Sequence, residues 1–443
     1  MLNKSYSRAA LYSFLIGLGS KTQVYFLGGC IGISELVLVI VAPFVFFRDI
    51  KALVRNGFGV IIWLFLSVVV GCMISAYMHK TPSIYTYKAL AMVYSTFAAL
   101  VVFHRLLKVN HNGIGWYILG YAVSSVITIW AFHPVADINL GYMGAATKED
   151  IIGSVMFWIK KVREFAIIPV CLLYFKTPIA YSATMPIVYS VYSLLASASG
   201  RSMALGTMGA SLLILIGGKS RTRMRIISRH LGLLVLSAFV IVMIFTFAYK
   251  QAASSGFLSE QAYQKYRAQS SQGGSALKIL MSGRKEFFLS LPACLDNPIW
   301  GLGPRAEDTG GYVYDFLSKY GTPEELSWYR YVAEKFGYRE LPCHSFLTSF
   351  WLWFGAPGLI FWLYVFWLIY KYYKCYIGAV PQWFGYFSLN IPMFLWDIFF
   401  SPYAWRINNG LMLCALLLSR AYAIGRIRLP DSVEIEARKY DKR

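Results

Sequence analysis

Acid is what this sequence has least of. Asp and Glu together number 21 in 443 residues, half the 42 Lys and Arg, and charged residues of both signs make up only 14% of the chain. A chain that is 57% apolar and 17% aromatic with so little charge has the composition of a polytopic membrane protein, whose solvent is the bilayer, and not of a soluble enzyme. The formal charge of +21 would suit nucleic acid only if the cations formed one basic face. They lie instead between apolar runs, so no nucleic acid is expected as a partner. A cleaved leader is not expected either, because the polar residues at 20–23 interrupt the first apolar stretch and Leu27-Gly28-Gly29-Cys30 is a poor lipid-attachment site.

What the sequence has in abundance is apolar runs. They cover approximately 9–19, 24–47, 57–78, 85–104, 113–133, 152–175, 178–198, 202–217, 231–249, 346–370, 376–399 and 404–424. These predict an all-α polytopic membrane protein of about 12 transmembrane helices. Eleven is the alternative, since 9–19 falls short of the roughly 20 apolar residues that a crossing needs. With the N-terminus in the cytoplasm, the inside segments carry 22 basic residues and the short outside connections six. Lys and Arg accumulate on the cytoplasmic side, so both termini are expected inside and the long connection outside. The predicted organisation is nine helices in 1–249, an outer loop domain at 250–345, three helices in 346–424 and a cytoplasmic tail at 425–443.

Chemistry-bearing residues are few enough to consider singly. Glu35 sits inside the second run, where an ionisable side chain is either functional or pairs helices. Lys160, Lys161 and Arg163 lie at the outer part of the sixth run, with Glu164 beside them. They read either as an ion pair with snorkelling lysines or as a clamp for an anionic headgroup. Arg201 opens the eighth run after Gly200. Within the loop, Arg284 to Leu295 reads as an interfacial helix, Asp296 to Arg305 as a turn-rich stop, and Thr322 to Lys335 as a second helix. His344 ends the loop and heads the apolar run broken by Gly355-Ala356-Pro357-Gly358, which predicts an imidazole about three turns above a flexible kink. Of the seven cysteines, Cys294 and Cys343 are the two in the outer loop. A disulfide between them and a pair of free thiols are both open readings.

Arg201-Ser202-Met203-Ala204-Leu205 fits an R-x3-L pattern at the head of a span. His344-Ser345, nine residues and Gly355-Ala356-Pro357-Gly358 fit H-[NSQ]-x9-G-x-x-[GTY] at the far end of a long outer loop. With the Arg284 helix and the Asn297-Pro298 to Gly301-Leu302-Gly303-Pro304 segment, the chain resembles the bacterial O-antigen ligase and O-antigen polymerase superfamily. The resemblance implies a C-type membrane architecture with a large helical periplasmic loop, in the inner membrane. It implies an inverting glycosyltransferase that needs no metal and no cofactor. Its donor would be a glycan on undecaprenyl diphosphate, and its acceptor a sugar hydroxyl of lipid A-core or, in a polymerase, of another lipid-linked glycan. Arg201, Arg284 and His344 would be the catalytic residues, with Lys160, Lys161, Arg163 and Arg305 holding the diphosphate.

Those residue types suit the reaction. Guanidinium groups neutralise a departing diphosphate at any relevant pH, and an imidazole is poised to take a proton from an attacking hydroxyl. Metal-dependent relatives of this architecture tend to carry an Asp-x-Asp pair in an early outer connection. The connection at 20–23 has no acid, and the doublets Glu149-Asp150 and Glu307-Asp308 lack the spacing. A transporter of lipid-linked glycans would also show many spans, but short loops and basic residues through the midplane.

Overall fold

The computed structural model of the chain describes residues 4–124, 285–336 and 340–427, except 21, 27, 28, 322, 378, 381, 382, 404 and 405, with a few isolated positions between 127 and 255. These residues are mostly helical. The order is α1 (Lys4–Leu18), strands β1 (Gln23–Phe26) and β2 (Gly29–Gly32), then α2 (Ile33–Leu53), α3 (Gly59–Met78) and α4 (Ser83–Val109). Residues 113–124 are helical up to the first long gap. After it come α5 (Lys285–Asp296), α6 (Tyr312–Tyr320), α7 (Pro323–Phe336), α8 (Phe346–Phe354), α9 (Ala356–Lys371), α10 (Phe384–Phe400) and α11 (Arg406–Ala423).

The second apolar run does not begin as helix. β1 and β2 pair antiparallel, with Gln23 opposite Gly32 and Phe26 opposite Gly29. Val24, Tyr25 and Phe26 favour a strand, while Gly28, Gly29 and Gly32 would each cost a helix about 1 kcal/mol relative to alanine. Helix α2 starts only at Ile33, where the Gly32 N–H donates to Glu35 Oε2 at 3.4 Å. A carboxylate in the first turn is favoured by the helix dipole.

Two helical stretches are long and apolar enough to cross a membrane among the described residues. Ile33–Met78 covers 46 residues and contains an 18-residue window of mean hydropathy 2.5, and Ser83–Val109 covers 27 with a window at 1.7. The first is interrupted by a wide turn at Val54–Phe58, where Gly57 takes φ 90° and joins α2 to α3. A positive φ of that kind is available to glycine without strain.

Helix α4 is the axis of the described bundle, with α2 and α11 both packed along it. Close approach to α11 depends on Gly410: a Cβ there would stand 2.5 Å from Thr96 O and 2.6 Å from the Ala99 Cβ. The same device seats α1 on the 113–124 segment, where Gly17 lies on the Tyr117 carbonyl and Gly120 on that of Phe14. Small residues bring backbones together where lipid gives no hydrophobic force between helices.

The run from Phe346 to Tyr370 is not one straight element. Phe346 and Trp362 would be roughly 24 Å apart along an uninterrupted helix, yet their ring centroids are 5.4 Å apart. Phe350 likewise lies 5.6 Å from Phe361, and a Cβ on Gly358 would fall onto the Phe350 carbonyl. The chain therefore folds back at Gly355, and α8 lies against α9 as the short arm of a helical hairpin. Phe346, Phe350, Trp362 and Tyr403 form the aromatic cluster at this joint, with Tyr403 5.0 Å from Phe346 and 4.7 Å from Phe350. The Tyr403 hydroxyl bonds Thr96 of α4.

Gly410→Ala is expected to cost about 1–3 kcal/mol by overpacking the α4–α11 contact. Gly59→Ala is the comparison, because its new methyl would meet only Val54 Cγ1 at 3.9 Å. Unfolding of the purified protein in detergent by denaturant would show a lower midpoint for the first variant and little change for the second.

Candidate functional site

His344 precedes α8 and is exposed, while the next residue, Ser345, is fully buried. Ser345 holds the position. Its hydroxyl accepts from the Thr348 N–H at 3.2 Å, which caps α8, and donates to the Ile398 carbonyl of α10 at 2.9 Å. An N-cap bond of this kind contributes about 1 kcal/mol. Among the described residues none makes a hydrogen bond or ion pair with the His344 ring. His344 thus stands just before the start of α8, with the break at Gly355 at the other end of that helix, and its neighbour Ser345 is fastened to α10.

The break at Gly355 is a socket. Opening a helix there leaves backbone groups without partners, and the turn after α5 supplies them. Ala356 N–H donates to the Ile299 carbonyl at 2.8 Å, while the Leu352 carbonyl accepts from Leu302 N–H at 2.6 Å and Gly303 N–H at 3.2 Å. Trp351 Nε1 donates to the Pro298 carbonyl at 3.0 Å. Gly355 has φ 69° and ψ −151°, a region open essentially to glycine alone. A Cβ on it would strike the Ile299 carbonyl, and one on Gly301 would strike that of Leu352.

The rest of the loop builds on that seat. Leu289, Ala293, Cys294, Val313, Leu317 and Leu341 form a small core against Leu352 of α8. Asp308, half of the acidic doublet Glu307-Asp308, is buried and occupied. Its carboxylate accepts from Tyr312 N at 2.8 Å, Val313 N at 2.9 Å and the Tyr329 hydroxyl at 3.0 Å, which caps α6 and ties α7 to it. Helices α5 and α7 fall where the sequence predicts, and α6 is an addition to that reading.

Arg305 stands at φ 55° and joins the loop to α4. Its guanidinium lies over the Tyr85 ring at 5.0 Å, and its Nε is 3.5 Å from Glu340 Oε1. Glu307 and Glu340 pair as an isolated bridge, four residues ahead of His344. Cys294 and Cys343 are free thiols; Cys294 Sγ bonds the Thr348 carbonyl at 3.7 Å, and no disulfide joins the pair. Burial pushes the Cys294 thiol up to about 12. It also raises Cys343 well above the usual thiol range, with the neighbouring Cys294 and Glu340 adding to the effect.

Lys160, Lys161, Arg163, Arg201 and Arg284 lie outside the described residues. Arg406 is one of the six basic residues assigned above to the short outside connections. Its Nε stands 2.8 Å from Glu35 Oε1, with the Glu35 side chain 6% exposed and that of Arg406 25% exposed. This joins the start of α2 to the start of α11. Glu35 was legible as a buried acid; its partner at the other end of the sequence carried no local signal.

No family model, curated protein or solved structure matches this chain.

Two outcomes are expected. Gly355→Ala and Gly301→Ala should each release the 285–343 loop from its socket, seen as faster cleavage there by a soluble protease while the bundle stays intact. The raised thiols should be neutral at pH 7 and therefore slow: a maleimide reagent should label Cys294 and Cys343 at least about tenfold faster after unfolding.

Proposed function

We propose that this chain is an inverting, metal-independent glycosyltransferase of the O-antigen ligase type, set in a bacterial inner membrane. In this reading about 12 helices cross the bilayer, both termini are cytoplasmic, and the 250–345 loop and the active site face the periplasm. The observation that carries it is His344, an exposed imidazole on a capped, buried mount at the mouth of a large docked loop. The two long apolar stretches and the composition support the membrane setting.

The reaction requires three things. A hydroxyl of lipid A-core attacks the anomeric carbon of a glycan linked to undecaprenyl diphosphate, and His344 takes the hydroxyl proton as the new C–O bond forms. The bond from that carbon to the diphosphate oxygen breaks on the opposite face, which inverts the centre. Undecaprenyl diphosphate leaves with the bonding pair, its charge met by Arg201 and Arg284 and by the cations Lys160, Lys161, Arg163 and Arg305. An anchored loop suits this chemistry because it holds the acceptor in place and limits water, which would otherwise hydrolyse the donor.

The test is transfer in a reconstituted membrane, scored by release of undecaprenyl diphosphate and by mass of the glycolipid product. His344→Ala, Arg201→Ala and Arg284→Ala should each lose about a hundredfold or more in rate while remaining folded, and a chelator should leave the wild type unaffected. Wild-type rates in all three variants would overturn the proposal. A product that lengthens the lipid-linked glycan instead of capping lipid A-core would make the protein a polymerase.

A further inference from the structure

We propose that Arg406, held from behind by the buried Glu35, is an anion-gripping residue that fixes a phosphate of the donor lipid beside His344. The inference rests on the glycosyltransferase reading and adds to it a residue that neither the motifs nor the composition single out.

The geometry supplies three reasons. The first is how the pair is made. The closest approach of the ion pair is from Arg406 Nε to Glu35 Oε1, at 2.8 Å, and the Arg406 side chain is 25% exposed, so the guanidinium with its two terminal Nη groups remains reachable from outside. Those two groups form the flat fork that binds phosphate oxygens in parallel. The second is rigidity. Glu35 Oε2 is itself bonded by the Gly32 N–H at 3.4 Å, so the carboxylate is fixed at the first turn of α2 and in turn fixes the guanidinium. A helix-end arginine that merely reached for headgroups would not need a buried acid behind it.

The third reason is place. Arg406 begins α11 three residues after Tyr403, and both Arg406 and Glu35 act electrostatically on the Tyr403 hydroxyl. The Tyr403 ring packs on Phe346, two residues from His344, and Ser345 bonds Ile398 in the same α10–α11 approach. The cation and the imidazole thus belong to one end of one packed unit. In the reaction above, a diphosphate gripped at Arg406 would hold the anomeric carbon while the hydroxyl loses its proton to His344. Undecaprenyl diphosphate would then depart and leave Arg406 unchanged.

The experiment measures binding of undecaprenyl diphosphate to the protein in nanodiscs, with undecaprenol as the uncharged control, alongside glycan transfer and thermal unfolding. Arg406→Gln should weaken undecaprenyl diphosphate binding about tenfold or more and leave undecaprenol binding unchanged. Arg406→Lys, which keeps the charge and the pairing with Glu35 but lacks the fork, should weaken it several-fold. Glu35→Gln should give a smaller loss than Arg406→Gln, since the cation stays but is less well aimed.

Wild-type affinity in a folded Arg406→Gln protein overturns the inference. If that variant does not fold, wild-type affinity in Arg406→Lys overturns it instead. Wild-type protein that prefers neither lipid sinks both this inference and the function it rests on. Arg406-dependent binding without any glycan transfer upholds the inference and overturns the enzyme reading alone.

Discussion

The architecture depends on one exchange of backbone hydrogen bonds, between the opened helix at Leu352–Ala356 and the turn at Ile299–Gly303. Breaking a helix inside a bilayer protein is tolerated only where the freed carbonyls and amides find partners within the protein. Here the Leu352 carbonyl and the Ala356 amide are both met by that turn. Glycine is required on each side of the contact, because a methyl group on Gly301 or Gly355 would occupy the space of the opposite carbonyl. The fold-back of α8 onto α9 and the docking of the loop are therefore one event seen from two sides.

Several consequences follow from that coupling. The loop's own core is small, built from Leu289, Ala293, Val313, Leu317, Leu341 and their neighbours, and so few apolar contacts would hold an isolated domain only weakly. It borrows stability from α8 through Leu352 and from α4 through Arg305 and Tyr85. His344 lies at the far end of the same short helix, so the socket that seats the loop also seats the helix that His344 precedes. A loop that tilted would move His344 with it.

Among the described residues, helix ends were legible where an apolar run has clear punctuation. The α3–α4 connection sits at the Thr81-Pro82 break, α8 starts one residue after the Ser345 cap, and α5 stops at Asp296 before Asn297-Pro298. What local pattern could not reveal was direction. Gly355-Ala356-Pro357-Gly358 marks a break equally well whether the chain kinks or doubles back, and only the pairing of Phe346 with Trp362 decides between them. The hairpin at 23–32 was hidden for a similar reason, since four-residue strands and the start of a greasy helix share a composition. Sequence left a disulfide and two free thiols equally open for Cys294 and Cys343; both are free, and the Cys294 thiol donates to the Thr348 carbonyl.

The Glu35–Arg406 pair shows where sequence reasoning ends and energetics begins. Taking two charges out of water costs several kcal/mol per ion, and replacing such a pair by packed apolar groups is often neutral or stabilising. Packing alone thus gives little reason to join α2 and α11 by an acid and a base when Gly410 and the α4 axis already hold α11 in place. The α2 cap needs Glu35 but not a guanidinium. The α11 terminus could end in any polar residue. The arginine that meets Glu35 stands three residues after Tyr403, whose ring packs on Phe346 of α8, and its side chain is 25% exposed, so the ion pair that joins α2 to α11 sits at the edge of the core and not within it.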